Sequence, residues 1–286
     1  MIRVAALLAL LAQDSVTLKS GDTPIATYQV AKPPGSKLAV ESACYFHPFQ
    51  TPKGIVITDV APDDHKHHRG IFLAWLEMHG KKDADFWGWG RYAPMEKRQI
   101  VNREAANHKE STVIKNDWMA DGETLLKEEL KASARIDGPA SVLDLVYTLS
   151  ADADLKLPKW AFSGFCLRMR KDGKAEAFNP DGPVKLPAPN HMKPESDWPA
   201  ASWYDYTLTL PDGTVVGGAV IDHPKNPPPL WHNAMSIRML NPCIVAPKEM
   251  VMKANEPLVL RYRVVAHDSP ASKELLDKLA AEWAKQ

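Results

Sequence analysis

The clearest strand pattern in the sequence is Leu258-Val259-Leu260-Arg261-Tyr262-Arg263-Val264-Val265, near the C-terminus. Its apolar residues at 258, 260, 262 and 264 alternate with Arg261 and Arg263, so one face is apolar and the other charged. This period of two predicts a half-buried β-strand. Shorter runs of the same character predict further strands at residues 54–60, 71–75, 142–149 and 206–210.

Turn signals between these runs indicate how the strands connect. Pro211-Asp212-Gly213-Thr214 predicts a hairpin turn, because glycine accepts the positive φ that a tight loop needs. Adjacent strands are therefore expected to be antiparallel. The proline-rich residues 179–194 predict a long loop.

One helix is predicted, at the C-terminal end of the sequence. Ser269 and Pro270 are suitable as its N-cap and first-turn residue. Apolar residues then recur at helical spacing, at Leu275, Leu276, Leu279 and Trp283. We expect this helix to pack on the outside of a sheet.

Composition limits the class of protein. The 286 residues are 45% hydrophobic, enough for a sizeable core, and residues 13–286 are predicted to form a single domain. Lys and Arg together number 35, as do Asp and Glu, and no long basic tract is present. Nucleic acid is therefore not an expected partner. No segment after the N-terminal run approaches the roughly 20 apolar residues of a membrane-spanning helix.

The N-terminal residues and the cysteines indicate the cellular compartment of the protein. Met1-Ile2-Arg3 followed by an apolar run to Ala12 predicts a signal peptide over residues 1–12 and export to the periplasm or the extracellular space. The alternative is a buried N-terminal strand or helix. Three cysteines, at 44, 166 and 243, form no CxxC pair. They are expected to be buried, or to form one disulfide in an oxidising compartment.

The densest polar segment is Asp63-Asp64-His65-Lys66-His67-His68-Arg69-Gly70. On an extended backbone His65 and His67 share a face and His68 points away. Imidazoles here are candidates for proton transfer, with a divalent metal on His65 and His67 as an alternative and Asp222 as a third ligand. A solvated loop is the other interpretation. Arg69 suits recognition of carboxylates, phosphates or vicinal hydroxyls, or pairing with the neighbouring aspartates.

Other polar corners accompany this segment. They lie at residues 45–48, 203–206 and 221–232 and contain the histidines His47, His223 and His232. Each of these histidines either has a structural role or joins the first cluster at the end of the sandwich where the loops meet. Trp87 and Trp89 are flanked by glycines. Indoles stack on the apolar faces of sugar rings, although ordinary core packing is the alternative for each of them.

Six of these motifs occur in the order found in one known family. They are Tyr45-Phe46-His47-Pro48, His65-Lys66-His67-His68-Arg69-Gly70, Asp85-Phe86-Trp87, Trp203-Tyr204-Asp205-Tyr206, Asp222-His223-Pro224-Lys225-Asn226 and Leu260-Arg261-Tyr262-Arg263. The chain resembles a bacterial family of unknown function often labelled "methane oxygenase PmoA". The resemblance implies an exported β-sandwich, frequent in bacteria rich in sugar-degrading genes. It does not imply methane oxidation, because a membrane methane oxygenase subunit needs several spanning helices.

We therefore predict an all-β protein, a large antiparallel sandwich of the galactose-mutarotase type with a C-terminal helix. Its expected partner is a small carbohydrate or a glycan, processed by a mutarotase, lyase or hydrolase type of reaction. His67 and His68 are the predicted acid and base, with Arg69 polarising a sugar oxygen and Asp222 and His223 as a second pair. The predicted substrate contacts are His47, Trp87, Arg168, Trp203, Asp205 and Asn226. The alternatives are a non-catalytic glycan-binding module or a structural envelope protein, whose histidines would be scattered.

Overall fold

The computed structural model describes residues 14–41, 44–185, 188, 198–270 and 272–286. The predicted signal peptide and much of the predicted proline-rich loop lie outside these residues. Within them, no helix is long and apolar enough to cross a membrane.

The described residues form 21 strands and one α-helix. In chain order these are β1 Ser15–Ser20, β2 Thr23–Gln29, β3 Tyr45–Phe49, β4 Ile71–Ala74, β5 Met78–His79, β6 Asp83–Ala84, β7 Arg98–Asn107, β8 Thr112–Ala120, β9 Glu123–Asp137, β10 Ala140–Ser150, β11 Leu155–Leu157, β12 Gly164–Arg168, β13 Lys174–Asn179, β14 Gly182–Val184, β15 Trp203–Thr209, β16 Val215–Asp222, β17 Leu230–Trp231, β18 Met239–Leu240, β19 Pro242–Cys243, β20 Met250–Met252, β21 Leu258–His267 and α1 Lys273–Trp283.

Two large antiparallel sheets make up most of the molecule. The first has nine strands in the order β14-β13-β15-β16-β21-β10-β9-β8-β7, and the second has six in the order β1-β2-β3-β4-β12-β18. Two smaller sheets have the orders β20-β11-β5-β6 and β17-β19. The predicted turn joins β15 to β16, and Gly213 there has a φ of +86°. The predicted all-β antiparallel fold with a C-terminal helix is confirmed.

The two large sheets pack face to face around one continuous hydrophobic core. Phe165 of β12 stacks on Tyr262 of β21, with ring centroids 4.0 Å apart. Trp118, Leu130 and Leu145 of the nine-stranded sheet are fully buried in the same core. Each of these residues alternates with neighbours on the opposite face, as the side chains of a pleated strand do. A sandwich is the result.

Strand β21 is more deeply buried than its sequence predicts. Arg263 is fully buried because α1 covers the outer face of the nine-stranded sheet. The Arg263 guanidinium donates to both oxygens of Asp144, at 2.5 and 2.8 Å, and to the carbonyl of Leu279 at 2.7 Å. The half-buried interpretation was wrong at this position, since it took no account of the helix.

Three other details differ from, or complete, the sequence predictions. The N-cap of α1 is Ser272, whose hydroxyl accepts from Leu275 N at 3.2 Å, and not Ser269. Residues 54–60 form only isolated bridges at 56, 58 and 60, because their partners lie in three different segments and no ladder can extend. The three cysteines are buried free thiols.

Candidate functional site

The site lies on the outer face of the six-stranded sheet. Since Phe165 points into the sandwich, the alternation along β12 points Cys166 and Arg168 outward. Cys166 pairs with Phe72 of β4, so Phe72 also points outward. Loops before β4 and after β6 cover this face and form a narrow cleft above it.

The cleft is lined by imidazole and aromatic rings. Its lining consists of His65, His67, His68, His232, Trp87, Trp89, Phe162, Ile237 and Met239. The ring centroids of His65 and His68 are 4.7 Å apart and those of His67 and His68 are 4.6 Å apart. His65 and His67 are separated by 5.7 Å. The histidines converge, which is the opposite of the scatter expected of a structural envelope protein.

The loop that carries three of these histidines is coiled into turns. His65 N donates to Pro62 O at 3.0 Å, and His68 N donates to His65 O at 2.9 Å. The extended backbone assumed from the sequence was therefore wrong, and all three imidazoles line one cleft. Gly70 ends the loop with a φ of +56°, and a Cβ there would lie 2.2 Å from the carbonyl oxygen of Phe46. Only glycine fits this position.

Arg168 fixes the orientation of His68. Its guanidinium is fully buried and lies 3.2 Å, through Nη1, from Nδ1 of His68. Arginine can only donate, so Nδ1 accepts and the proton of the neutral ring is on Nε2. The same guanidinium donates through Nη2 to Asp64 at 3.1 Å, and Asp64 is also paired with Lys171.

The electrostatic setting keeps His67 and His68 neutral. Burial, together with the charges of His65, Arg69 and Arg168, lowers the pKa of His67 to about 3. Burial, together with His67 and Arg168, lowers the pKa of His68 well below its usual value. A neutral imidazole offers one hydrogen-bond donor and one acceptor.

A carboxylate lies at the edge of the cleft beside His65. Burial raises the pKa of Asp64, but the hydrogen bond from Lys171 and the charge of Arg168 outweigh it and bring the value to about 2. Asp64 Oδ1 lies 3.3 Å from Nδ1 of His65. The side chain of His65 is 35% exposed.

Asp85 and Arg69 hold the segment that carries Trp87 and Trp89. The buried carboxylate of Asp85 accepts from the backbone nitrogens of Gly88, Trp89 and Gly90 at 2.7, 2.9 and 2.6 Å. Burial raises the pKa of Asp85 against the lowering effect of these bonds. Arg69 donates to the carbonyl oxygens of Phe86 and Trp87 at 3.1 and 3.3 Å.

These contacts change two predicted roles. Arg69 is fully buried beneath the cleft and braces backbone, so it does not polarise a sugar oxygen. Trp87 is not an exposed platform, since its ring is fully buried and contributes to the cleft wall. Its Nε1 has no hydrogen-bond partner among the residues that the structure describes.

The predicted second pair, Asp222 and His223, lies at another corner. Asn226 donates to Asp222 Oδ1 at 2.8 Å and exchanges hydrogen bonds with the backbone of Arg261 at 2.7 and 2.8 Å. Burial raises the pKa of Asp222 to about 7. His223 accepts from Lys225 N at 3.0 Å and packs edge-on against Trp283. None of these side chains lines the cleft, and their contacts tie β16 to β21 and the helix.

Three further predicted contacts also lie away from the cleft lining. Trp203 is buried beneath α1, and its Nε1 donates to Asp277 at 2.9 Å. His47 Nδ1 lies 2.9 Å from the hydroxyl of Thr58, behind Gly70. Asp205 is fully buried and accepts from the hydroxyl of Thr207 at 2.8 Å.

Asp205 is also paired with His267, and this pair is ionic. His267 Nε2 lies 2.8 Å from Asp205 Oδ2, and Nδ1 lies 2.6 Å from the carbonyl oxygen of Ser269. Both partners only accept, so both ring nitrogens carry protons. Burial on its own would lower the pKa of His267, but the Asp205 carboxylate raises it above the usual value.

The predicted metal ligands do not form a complete set. No group of three or more His, Cys, Asp or Glu side chains in the described part of the chain is placed to hold a metal ion. Asp222, the predicted third ligand, is engaged with Asn226.

Sequence reasoning missed several members of the site. Phe162, Ile237 and Met239 line the cleft but are ordinary apolar residues in sequence. Asp64 and Asp85 had a readable signal, since each is a carboxylate next to a polar or glycine-rich loop. Their contacts with His65 and with residues 88–90 lie within five residues in the chain, and the sequence analysis did not assign them.

The fold and the site define an antiparallel β-sandwich protein with a histidine-rich, aromatic cleft on one outer face. The chain belongs to a family of unknown function, DUF6807, whose model matches residues 15–281. That description names no activity. No curated protein matches the chain.

Solved structures with a similar fold are distant in sequence. A galactose mutarotase related enzyme from Lactobacillus acidophilus is 9% identical, with a TM-score of 0.43, covering 88% of this chain and 97% of its own. A polysaccharide lyase is 11% identical, with a TM-score of 0.33, covering 69% and 26%. The GH36 alpha-galactosidase AgaA from Geobacillus stearothermophilus is 9% identical, with a TM-score of 0.34, covering 77% and 29%.

Proposed function

We propose that the protein binds a sugar or keto-sugar ring in the histidine cleft and transfers protons on it, as a mutarotase, lyase or hydrolase does. The observation that carries this proposal is the convergence of four imidazoles with Trp87, Trp89 and Phe162 around one cleft. Aromatic rings pack against the C–H faces of a sugar, while imidazole nitrogens exchange hydrogen bonds with its hydroxyls. Both features are needed to hold a sugar ring in one orientation.

The proton-transfer role falls to His65 in this proposal. His67 and His68 have lowered pKa values and are weak bases, so they serve as hydrogen-bonding contacts. His65 is partly exposed at the mouth and lies beside the ionised Asp64. A carboxylate in that position orients the ring and balances the charge that the ring gains with a proton.

A second candidate is a non-catalytic glycan-binding protein. The observation that favours it is the low pKa of both His67 and His68, because neutral imidazoles suffice for binding. The enzyme would convert its ligand and the glycan-binding protein would not, and both would bind it in the same cleft.

A direct test is a panel of monosaccharides, keto-sugars and uronic acids, screened by ligand-observed NMR and calorimetry. Binding is expected for the native protein and lost in His67→Phe, whereas the surface variant His108→Gln is the matched control and should bind as the native protein does. For each ligand that binds, anomer exchange, double-bond formation and release of reducing ends are then measured. His65→Gln is expected to keep binding and to lose turnover.

The outcomes separate the candidates. Binding without any of the three reactions would favour the glycan-binding protein. No binding to any sugar by a folded native protein would overturn the whole proposal. Elemental analysis of the same preparation tests the metal alternative, for which a stoichiometric metal lost in His67→Phe would be required.

We also propose that the protein is exported to the periplasm or the extracellular space. Support for this comes from the sequence of residues 1–12 alone. Fractionation of expressing cells, with mass spectrometry of the intact protein, tests it. Full-length protein in the cytoplasmic fraction would contradict export.

A further inference from the structure

Aromatic side chains continue outward from the cleft. Trp89 lines the cleft and contacts Tyr92, with ring centroids 5.7 Å apart. Tyr92 in turn packs on Trp160 at 4.1 Å. All three residues are half-buried. We call Trp89, Tyr92 and Trp160 the aromatic strip.

Both ends of the aromatic strip are held in place by carboxylates. Asp85 accepts from Trp89 N at 2.9 Å, and Glu77 accepts from Trp160 Nε1 at 2.6 Å. Glu77 is itself fixed by His79, whose two ring nitrogens lie 2.8 Å from Glu77 and 2.8 Å from Asp83. Half-exposed rings that are braced in this way lose little conformational freedom when a ligand packs on them.

A charged side chain lies over the same rings. The guanidinium of Arg91 is exposed and is 5.8 Å from the ring centroid of Trp89 and 5.4 Å from that of Tyr92. Apolar ring faces bordered by charged hydrogen-bonding groups match the surface of a sugar, which is apolar on its C–H faces and polar at its edge.

From these contacts we propose that the aromatic strip is an outer binding site for the next sugar units of an oligosaccharide whose terminal ring occupies the histidine cleft. This inference rests on the proposed function and specifies its substrate class as a glycan chain. We assign this occupant because Trp89 belongs to both the cleft and the aromatic strip, so the two surfaces are continuous. Phe162 strengthens this connection, since it lines the cleft 5.0 Å from Trp89 and follows Trp160 closely in the chain.

The experiment compares chain lengths in the full-length protein. Cello-, xylo- and galacturonic acid oligosaccharides of one to four units are titrated by calorimetry into the native protein, a Tyr92→Ala/Trp160→Ala double variant and a Val251→Ala control. Val251 is a 45% exposed apolar residue outside the strip. Unchanged circular dichroism confirms folding, and Tyr92→Phe/Trp160→Phe keeps both rings in case the alanine variant does not fold.

The expected result is affinity that rises with chain length in the native protein and in the control. Loss of the strip should weaken tetrasaccharide binding about three- to tenfold, the effect of one or two ring contacts, and leave monosaccharide binding unchanged. The phenylalanine variant should retain most of the gain.

Three outcomes would overturn the inference. If monosaccharides bind and longer chains bind no tighter, or if the double variant keeps the gain, the strip is not an outer site, although the proposed function stands. If no sugar of any length binds, the proposed function fails as well. If sedimentation shows self-association that only the double variant abolishes, the strip instead contacts a second copy of the chain.

Discussion

The molecule buries histidines in two regions and holds them in opposite charge states. His267, the last residue of β21 in the nine-stranded sheet, lies between Asp205 and a backbone carbonyl, and both of its ring nitrogens donate. His67 and His68 lie in the cleft among cationic neighbours and stay neutral. The difference separates two uses of one residue type. Both ring nitrogens of His267 are hydrogen-bonded within the fold, whereas His67 and His68 have hydrogen-bonding capacity left for a ligand.

The largest effect is expected from His267→Ala. It leaves the Asp205 carboxylate buried without its counter-charge, which should lower the free energy of unfolding by about 3–5 kcal/mol. Urea denaturation measures this. The matched control is His79→Ala, which also removes a histidine between two acceptors, but one that is 38% exposed and should cost no more than about 1 kcal/mol. Equal losses in the two variants would contradict an ionic His267.

The pH dependence of stability gives a second test of the same pair. The pKa of His267 is raised in the folded state, so its contribution is complete below the unfolded value near 6.5 and is lost as the pH rises through the folded value. Each pKa unit of difference corresponds to about 1.4 kcal/mol. Unfolding free energies from pH 6 to 9 should fall in the native protein. The fall should be smaller in His267→Ala, where buried Asp222, with its pKa raised to about 7, still contributes at the lower end of the range. A fall of the same size in the variant would contradict a raised pKa for His267.

A smaller effect on stability is expected from Asp85→Asn. The amide replaces one acceptor oxygen by a donor that faces backbone N–H groups, leaving at least one of them unpaired at a cost of about 1–3 kcal/mol. Sugar affinity should also fall, because Trp87 and Trp89 lose their support. Thermal denaturation and the binding assay measure the two effects. Unchanged affinity would mean that the cleft does not depend on this segment.

The smallest expected effect is no change at all. Ring nitrogen chemical shifts of His67 and His68, followed by NMR from pH 8 to pH 5, should remain those of neutral imidazole, with the proton of His68 on Nε2. His267 should remain doubly protonated over the lower part of this range. Titration of His67 or His68 near pH 6.5 would contradict the electrostatic difference between the two regions.

The sequence predicted the fold better than the site, and the reason is physical. Period-two patterns record burial on each strand, so β10, β15 and β21 could be recognised locally. The pattern in β21 still failed at Arg263, since a distant helix covers that face. The cleft depends on which loops meet, so the histidine segment could be found from the sequence, but not which of His47, His223 and His232 joins it. For the same reason Asp222 and Asp205 looked like site residues, although both serve the fold.

The buried arginine beneath α1 also determines how the molecule can open. Lifting the helix would remove the Leu279 carbonyl and the Trp283 ring from Arg263 and expose the charge pair with Asp144. These contacts therefore oppose unfolding of α1 from its C-terminal end beyond the last turn. Amide protons in the middle of α1 should exchange with deuterium through the same cooperative opening as those of β21 and β10, so that the helix and the sheet behave as one unit.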